Sequence, residues 1–332
     1  RAAKADGGKA FWNVNTDAQS LAKVVALYVA HNSRTASPKY LLGESYGGFR
    51  SAKVARVLQA DQGIVVSGIV MVSPMIEASY TFGGQQGPFS AALAFPSIVA
   101  SELERTKKFS AEAMAEAERF ALNEYLTTLA GPQPAGDRAQ AFHAKIAQMT
   151  GLPADVVARS RGYVRGAYTR QLRAQGLQIS SYDAAFSVPD LHPDGGGRTG
   201  DPILDGFVRA LSGLYVGYAR DELGFKTDIT YILLNREINW DWGGNRDRQG
   251  ASDDLSAMLA LDPSFRLFVA HGRSDLVTPY GVSRYLIDQI APIGVSGRAQ
   301  VKAYRGGHMF YFDAESRRAF TEEARNFYRI AR

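Results

Sequence analysis

Apolar residues along the chain gather into short runs that stop at glycine or proline. Lys39-Tyr40-Leu41-Leu42 ends at Gly43, Ser67-Gly68-Ile69-Val70-Met71-Val72-Ser73 ends at Pro74, and Arg266-Leu267-Phe268-Val269-Ala270-His271 ends at Gly272. A run that is apolar at nearly every position predicts a strand covered on both faces, as in a parallel sheet. Gln300 to Tyr304, before Gly306-Gly307-His308, predicts a further strand. Between these runs the spacing changes to that of helices. Leu21, Val24, Val25, Leu27, Tyr28 and Val29 line one helix face, with Thr16 or Asp17 as candidate cap. Phe49, Ala52, Val54, Ala55 and Leu58 line a second, directly after Gly47-Gly48. Strand, helix, strand in that order predicts a parallel βαβ unit.

From about residue 77 to 226 helical patterns replace the strands. The segment Ser110 to Leu129 is rich in alanine and glutamate, with Ser110 as its cap, and helices are expected over Asp137 to Met149, Pro153 to Gln175 and Asp205 to Leu223. Gly83 to Pro88, Gly131 to Gly136, and Ser180 to Pro202 with its glycines at 195, 196 and 197 are expected to be loops or irregular. The resulting division is a core of residues 1–76, a helical insertion of 77–226, and a resumed core of 227–332 whose last helix begins near Ala314 and turns Phe320, Ala324 and Phe327 inward. An insertion that leaves a parallel strand at its C-terminal end emerges on the face where open α/β sheets carry their sites, so it should cap that face.

Composition narrows the partners. The chain has 332 residues and a net charge of +5 spread without a basic block, which speaks for solubility and against nucleic-acid binding. With no cysteine, thiol nucleophiles, disulfides and thiolate metal sites are excluded. The most apolar stretch, Ala91 to Ala100, is too short for a membrane span and contains Pro96. The residues from Arg1 to Gly8 lack the apolar core of a signal peptide.

The chemistry lies at the ends of the predicted strands. Gly43-Glu44-Ser45-Tyr46-Gly47 matches G-x-S-x-G, in which flanking glycines make room around a serine on a sharp strand-to-helix turn. Such a turn lifts Ser45 Oγ clear of the sheet and sets the Tyr46 N–H beside it as an oxyanion donor. A serine hydroxyl needs a general base, and the base needs an acidic partner to fix its tautomer. His308 and Asp275 both follow the ends of predicted parallel strands, and the order Ser45, Asp275, His308 is that of α/β-hydrolases. His271 also sits at a strand end but precedes the Asp275 turn and is read as structural. No H-E-x-x-H or comparable spacing points to a metal, and no cofactor is expected. Trp240 and Trp242 follow the insertion and can line a pocket or pack at its junction with the core.

Gly43-Glu44-Ser45-Tyr46-Gly47-Gly48, Arg305-Gly306-Gly307-His308-Met309 and Gly272-Arg273-Ser274-Asp275-Leu276-Val277-Thr278-Pro279 together resemble the serine carboxypeptidase family, in particular its bacterial members. The resemblance implies an α/β-hydrolase fold with a helical cap, and removal of C-terminal residues from peptide substrates through an acyl-enzyme on Ser45. It implies that Glu44 helps bind the substrate's terminal carboxylate as one of a proton-sharing pair, and that the protein is periplasmic or secreted. The same triad would serve a proline aminopeptidase, an esterase or an acyltransferase, and a noncatalytic binding module is a further alternative.

One part of the family pattern has no counterpart here. Family members carry, upstream of the serine turn, a glycine-rich turn with the second oxyanion N–H and an asparagine for the carboxylate. Nothing before Lys39 matches it. The chain therefore resembles the C-terminal part of such an enzyme, lacking its N-terminal strands. The strand at Lys39 to Gly43 is expected to be central and buried, paired along its free side with a companion N-terminal segment or chain.

Overall fold

The computed structural model describes residues 8–82, 87–193, 200–227, 231–235, 238–290 and 297–329. The expected loop at Gly83 and the glycines at 195, 196 and 197 lie outside these.

The first part of the core is α1 (Val14–His31), β1 (Tyr40–Glu44), α2 (Tyr46–Gln62) and β2 (Gly68–Val72). The cap of α1 is Asn13, whose Oδ1 accepts from Thr16 N at 2.8 Å. Thr16 and Asp17, the candidates from sequence, fall inside the first turn because Val14 is already helical. Asp17 there meets Arg50 of α2 at 2.6 Å.

A mainly helical excursion follows: α3 (Ala78–Phe82), α4 (Pro88–Arg105), α5 (Ala111–Phe120), a π-helical turn at Ala121–Tyr125, α6 (Leu126–Ala130), α7 (Gly136–Thr150), α8 (Ala154–Arg159) and α9 (Val164–Ala174). Ser110 caps α5 as expected, its Oγ accepting from Ala113 N at 3.1 Å. The expected single helix over 153–175 is two helices, since Arg161 and Gly162 adopt φ of 53° and 83°, which no α-helix tolerates. In a small antiparallel pair, β3 (Leu177–Ile179) precedes the segment expected to be irregular and β4 (Ser187–Pro189) lies within it, and α10 (Pro202–Asp221) is the last α-helix of the excursion.

The return to the core lies further along the chain than 226. Glu77 and Gly250 form a bridge, Ala78 N donates to Gln249 O, and Ala251 N donates to Ile76 O. The neck of the excursion is thus the Ile76–Glu77 and Gln249–Ala251 pair of segments. Glu77 Oε1 fastens it by accepting from Ser252 N and Oγ at 3.0 and 2.6 Å. Then come α11 (Ser252–Leu261), β5 (Arg266–Gly272), α12 (Tyr280–Asp288), β6 (Ala299–Tyr304) and α13 (Ala314–Arg329).

The four long strands form one parallel sheet in the order β1-β2-β5-β6 with helices on both faces, an α/β architecture. Successive strand residues serve opposite faces. Ile69, Met71, Leu267 and Val269 pack with Phe49, Leu58, Leu255 and Leu259 from α2 and α11. Val70, Val72, Phe268 and Ala270 pack with Phe327 and Ala324 of α13. Each large side chain buried in this way contributes roughly 1.5–3 kcal/mol. The excursion has its own core, in which Phe95, Phe120, Tyr125 and Phe142 cluster, and this core continues onto Leu276 and Tyr280 beyond β5. No helix among the described residues is long and apolar enough to cross a membrane.

Among the described residues β1 is an edge strand. It pairs with β2 from Tyr40↔Gly68 to Glu44↔Val72, and no described residue outside β2 forms a strand beside it. Its position at the sheet edge leaves Leu42 60% exposed, although the sequence reads as fully buried there.

Candidate active site

Ser45 lies between the end of β1 and the start of α2 with φ 57° and ψ −122°. A serine in the left-handed half of φ space is uncommon, and its strain persists only where the surroundings enforce it. Here Ser45 N donates to Val72 O at 2.9 Å, while Ser45 O accepts from Gly48 N and Met75 N at 3.0 and 3.2 Å. A Cβ on Gly43 would lie 1.9 Å from Gly47 O, and one on Gly48 would lie 2.4 Å from Pro74 Cβ. A Cβ on Gly47 meets nothing within 4 Å. Of the two glycines flanking Ser45 in the motif, then, only Gly43 is sterically required, and the second close approach is at Gly48. No side chain caps α2, so Tyr46 N–H in its first turn remains for a ligand anion.

Asp275 and His308 stand past the ends of β5 and β6 as the sequence predicts. Asp275 is fully buried and His308 is 2% exposed. His308 Nδ1 donates to Asp275 Oδ2 at 2.8 Å. The other carboxylate oxygen accepts from Val277 N and Thr278 N at 2.7 and 3.0 Å. Burial opposes a charged imidazole, but the charge and hydrogen bond of Asp275, helped by Glu44, outweigh it and raise the His308 pKa above the ordinary 6.5.

A second layer fixes this pair, and its members gave no signal in the sequence. Thr278 Oγ1 lies 2.7 Å from Asp275 Oδ2, 3.0 Å from Ser73 O and 3.1 Å from His308 Nδ1. Ser73 Oγ donates to His308 O at 2.8 Å. The segment after β3 straps the same turns: His308 N donates to Tyr182 O at 2.5 Å, Leu276 N to Ser181 O at 3.1 Å, and Ala184 N to Ser274 O at 2.9 Å. The Tyr182 ring meets His308 edge-on, with centroids 5.2 Å apart. Half-buried Asp183 accepts from Ser274 Oγ at 2.6 Å. These contacts put part of the excursion against the C-terminal ends of β5 and β6, the face expected from topology.

Ser45 Oγ makes no hydrogen bond to a described residue, so the Ser45–His308 step of the expected chain is not formed. Both residues nevertheless share neighbours. Ser45, Tyr182 and Thr278 line one cleft of about 310 Å³, whose walls include Tyr46, Trp240 and Trp242. The two tryptophans pack edge-on against Tyr46 at 5.3 and 5.6 Å, so they both pack at the junction and line the cleft.

Glu44 is half-buried, and Tyr311 OH donates to its carboxylate at 3.1 and 2.9 Å. Burial raises the Glu44 pKa despite that hydrogen bond. His271 is fully buried, its Nε2 lies 2.7 Å from Ser283 Oγ, and burial pushes its pKa down to about 4. A neutral histidine closed in the core suits the structural role given to it.

Comparison of the sequence with protein-family models and with curated proteins finds no match.

Proposed function

We propose that this chain is a serine hydrolase of the α/β-hydrolase type, and within that class a carboxypeptidase. The observation that carries the reading is the buried Asp275–His308 pair, which lies past the C-termini of its parallel strands just as a serine held at φ 57° lies past that of β1. In the reaction, Ser45 Oγ attacks the scissile carbonyl and passes its proton to His308 Nε2. Asp275 keeps Nδ1 protonated and stabilises the imidazolium, and Tyr46 N–H donates to the oxyanion. The imidazolium then protonates the leaving amine, and water releases the acyl group by the same steps in reverse. Motif resemblance and the carboxyl group of Glu44, made easier to protonate by burial, support the carboxypeptidase assignment.

The open side of β1 belongs to the same proposal. An edge strand with an exposed Leu42 is the kind of surface that proteins pair or cover. A companion N-terminal segment pairing there would also bring the second oxyanion donor, worth roughly 10²–10³ in turnover. Hydrogen exchange of the β1 amides tests this: protection on adding the companion is expected, and an edge left open in an active protein would overturn it.

The hydrolase reading is tested with a fluorophosphonate probe and blocked and free peptides. Labelling at Ser45 and release of the last residue only from peptides with a free C-terminus are expected. A Ser45→Ala protein that still labels or cleaves would end the assignment.

A further inference from the structure

The cleft beside Ser45 carries an imbalance of charge. Among the described residues that line it are two arginines, Arg50 and Arg246, and no carboxylate. Arg50 is neutralised by Asp17 at 2.6 Å and lies over the Tyr46 ring at 4.8 Å. Arg246 is different. Its guanidinium sits 3.8 Å above the centre of the Phe82 ring and 5.3 Å from that of Trp242, and no described carboxylate is within 4 Å of it. Two acidic groups of the same region are engaged elsewhere: Asp241 accepts from Gly243 N at 2.8 Å, and Glu77 accepts from Ser252 N and Oγ.

Stacking on aromatic faces restrains a guanidinium in one plane while leaving its N–H fork open. A planar fork restrained in this way matches a carboxylate, and the aromatic wall of Tyr46, Phe82, Trp240 and Trp242 beside it offers an apolar surface. We propose that Arg246 is the specificity-determining residue of this cleft, binding a carboxylate on the substrate whose apolar part rests on the aromatic wall. That carboxylate has two possible sources, the side chain of an Asp or Glu next to the scissile bond or the free C-terminus of the peptide. The proposal rests on Ser45 being the nucleophile and names what the cleft beside it selects.

The test uses N-blocked dipeptides with Glu or Gln before the scissile bond, each with a free or an amidated C-terminus. Wild-type protein is expected to favour one carboxylate over its amide by about 10- to 100-fold in kcat/KM, the scale of a charge-assisted hydrogen bond. Arg246→Gln should erase that preference, and Arg246→Lys should retain part of it. Whichever preference disappears, Glu over Gln or free over amidated, identifies the source. Unchanged discrimination in Arg246→Gln overturns the proposal, as does a wild type that does not discriminate. Binding of 3-phenylpropionate and of its amide to Ser45→Ala protein, followed by tryptophan fluorescence, separates this proposal from the hydrolase reading. Carboxylate binding that depends on Arg246 without any wild-type hydrolysis would sink the latter alone, and hydrolysis indifferent to Arg246 the former alone.

Discussion

The two ends of one parallel sheet are finished to different degrees. At the β5–β6 end, Asp275 and His308 are enclosed, and both oxygens of the carboxylate are satisfied by groups of this chain. At the β1 end, Ser45 is held in a strained conformation, yet its Oγ is unengaged and the strand that carries it is an edge. The first end is built from turns that interlock through Ser73, Thr278 and Tyr182, and so its geometry is fixed by folding alone. The second depends on close backbone packing at Gly43 and Gly48, which sets the serine but leaves its hydroxyl free. Stability and catalysis should therefore be coupled at one end and separable at the other.

The largest expected effect tests that coupling. Asp275→Asn should lower turnover about 10⁴-fold through the wrong histidine tautomer. It should also destabilise the fold by roughly 1–3 kcal/mol, because an amide cannot accept all the hydrogen bonds that the buried carboxylate does. Ser45→Ala should remove turnover to a similar degree with a stability change within about 0.5 kcal/mol, since no hydrogen bond to Oγ is lost. Urea midpoints beside peptide turnover measure both. An Asp275→Asn protein as stable as wild type would break the contrast between the two ends.

Thr278 offers a smaller test of the same end. Thr278→Val keeps the shape and deletes the hydroxyl that bridges Asp275 and Ser73 O, at a cost of about 1–3 kcal/mol. If the loosened His308 loses about 1.4 kcal/mol of transition-state stabilisation, turnover falls roughly tenfold. Thr278→Ser should restore most of both. A valine variant that loses stability but keeps full turnover would make Thr278 a packing residue with no part in orienting His308.

What could be read from the sequence follows the same division. The strands, the serine turn and the Asp275 and His308 positions were legible because each is local: an apolar run, a terminating glycine, a polar residue beyond it. Thr278, Ser73, Tyr182 and Tyr311 were not, since the contacts that tie Thr278 to Ser73, Ser73 and Tyr182 to His308, and Tyr311 to Glu44 span large sequence separations that no periodicity reveals. The helix break at Arg161–Gly162 was hidden because the flanking residues keep a helical spacing through it. The neck at Glu77 and Gly250 is a side-chain and backbone closure without a composition change, so the boundary at 226 followed the end of the helical pattern instead. The place of β1 at the edge contradicts its own apolar sequence, and local pattern carries no information about which neighbour a strand has.

Glu44 links the two ends, since it sits beside Ser45 and its charge raises the His308 pKa. In wild type the acid limb of kcat/KM, set by neutral His308 acting as base, should therefore lie above the ordinary 6.5, and Glu44→Gln should move it lower by removing that negative field. Both groups also make stability fall as pH rises. Burial raises the folded pKa of Glu44 above 4.5, so its favourable contribution is present below pH 4.5 and is lost as pH rises through the folded value. The raised His308 contributes stability below 6.5 that is lost as pH rises through its own folded value. Glu44→Gln abolishes the first loss and reduces the second. Its melting temperature should be close to wild type near pH 4 and higher than wild type at pH 8, with the gap opening in between. Tyr311→Phe should widen the wild-type fall with pH, because Tyr311 donates to the ionised carboxylate and favours it. Melting curves from pH 4 to 8 for the three proteins measure this, and a Glu44→Gln protein less stable than wild type at pH 8 would mean that the Tyr311 hydrogen bond outweighs the cost of burying the charge.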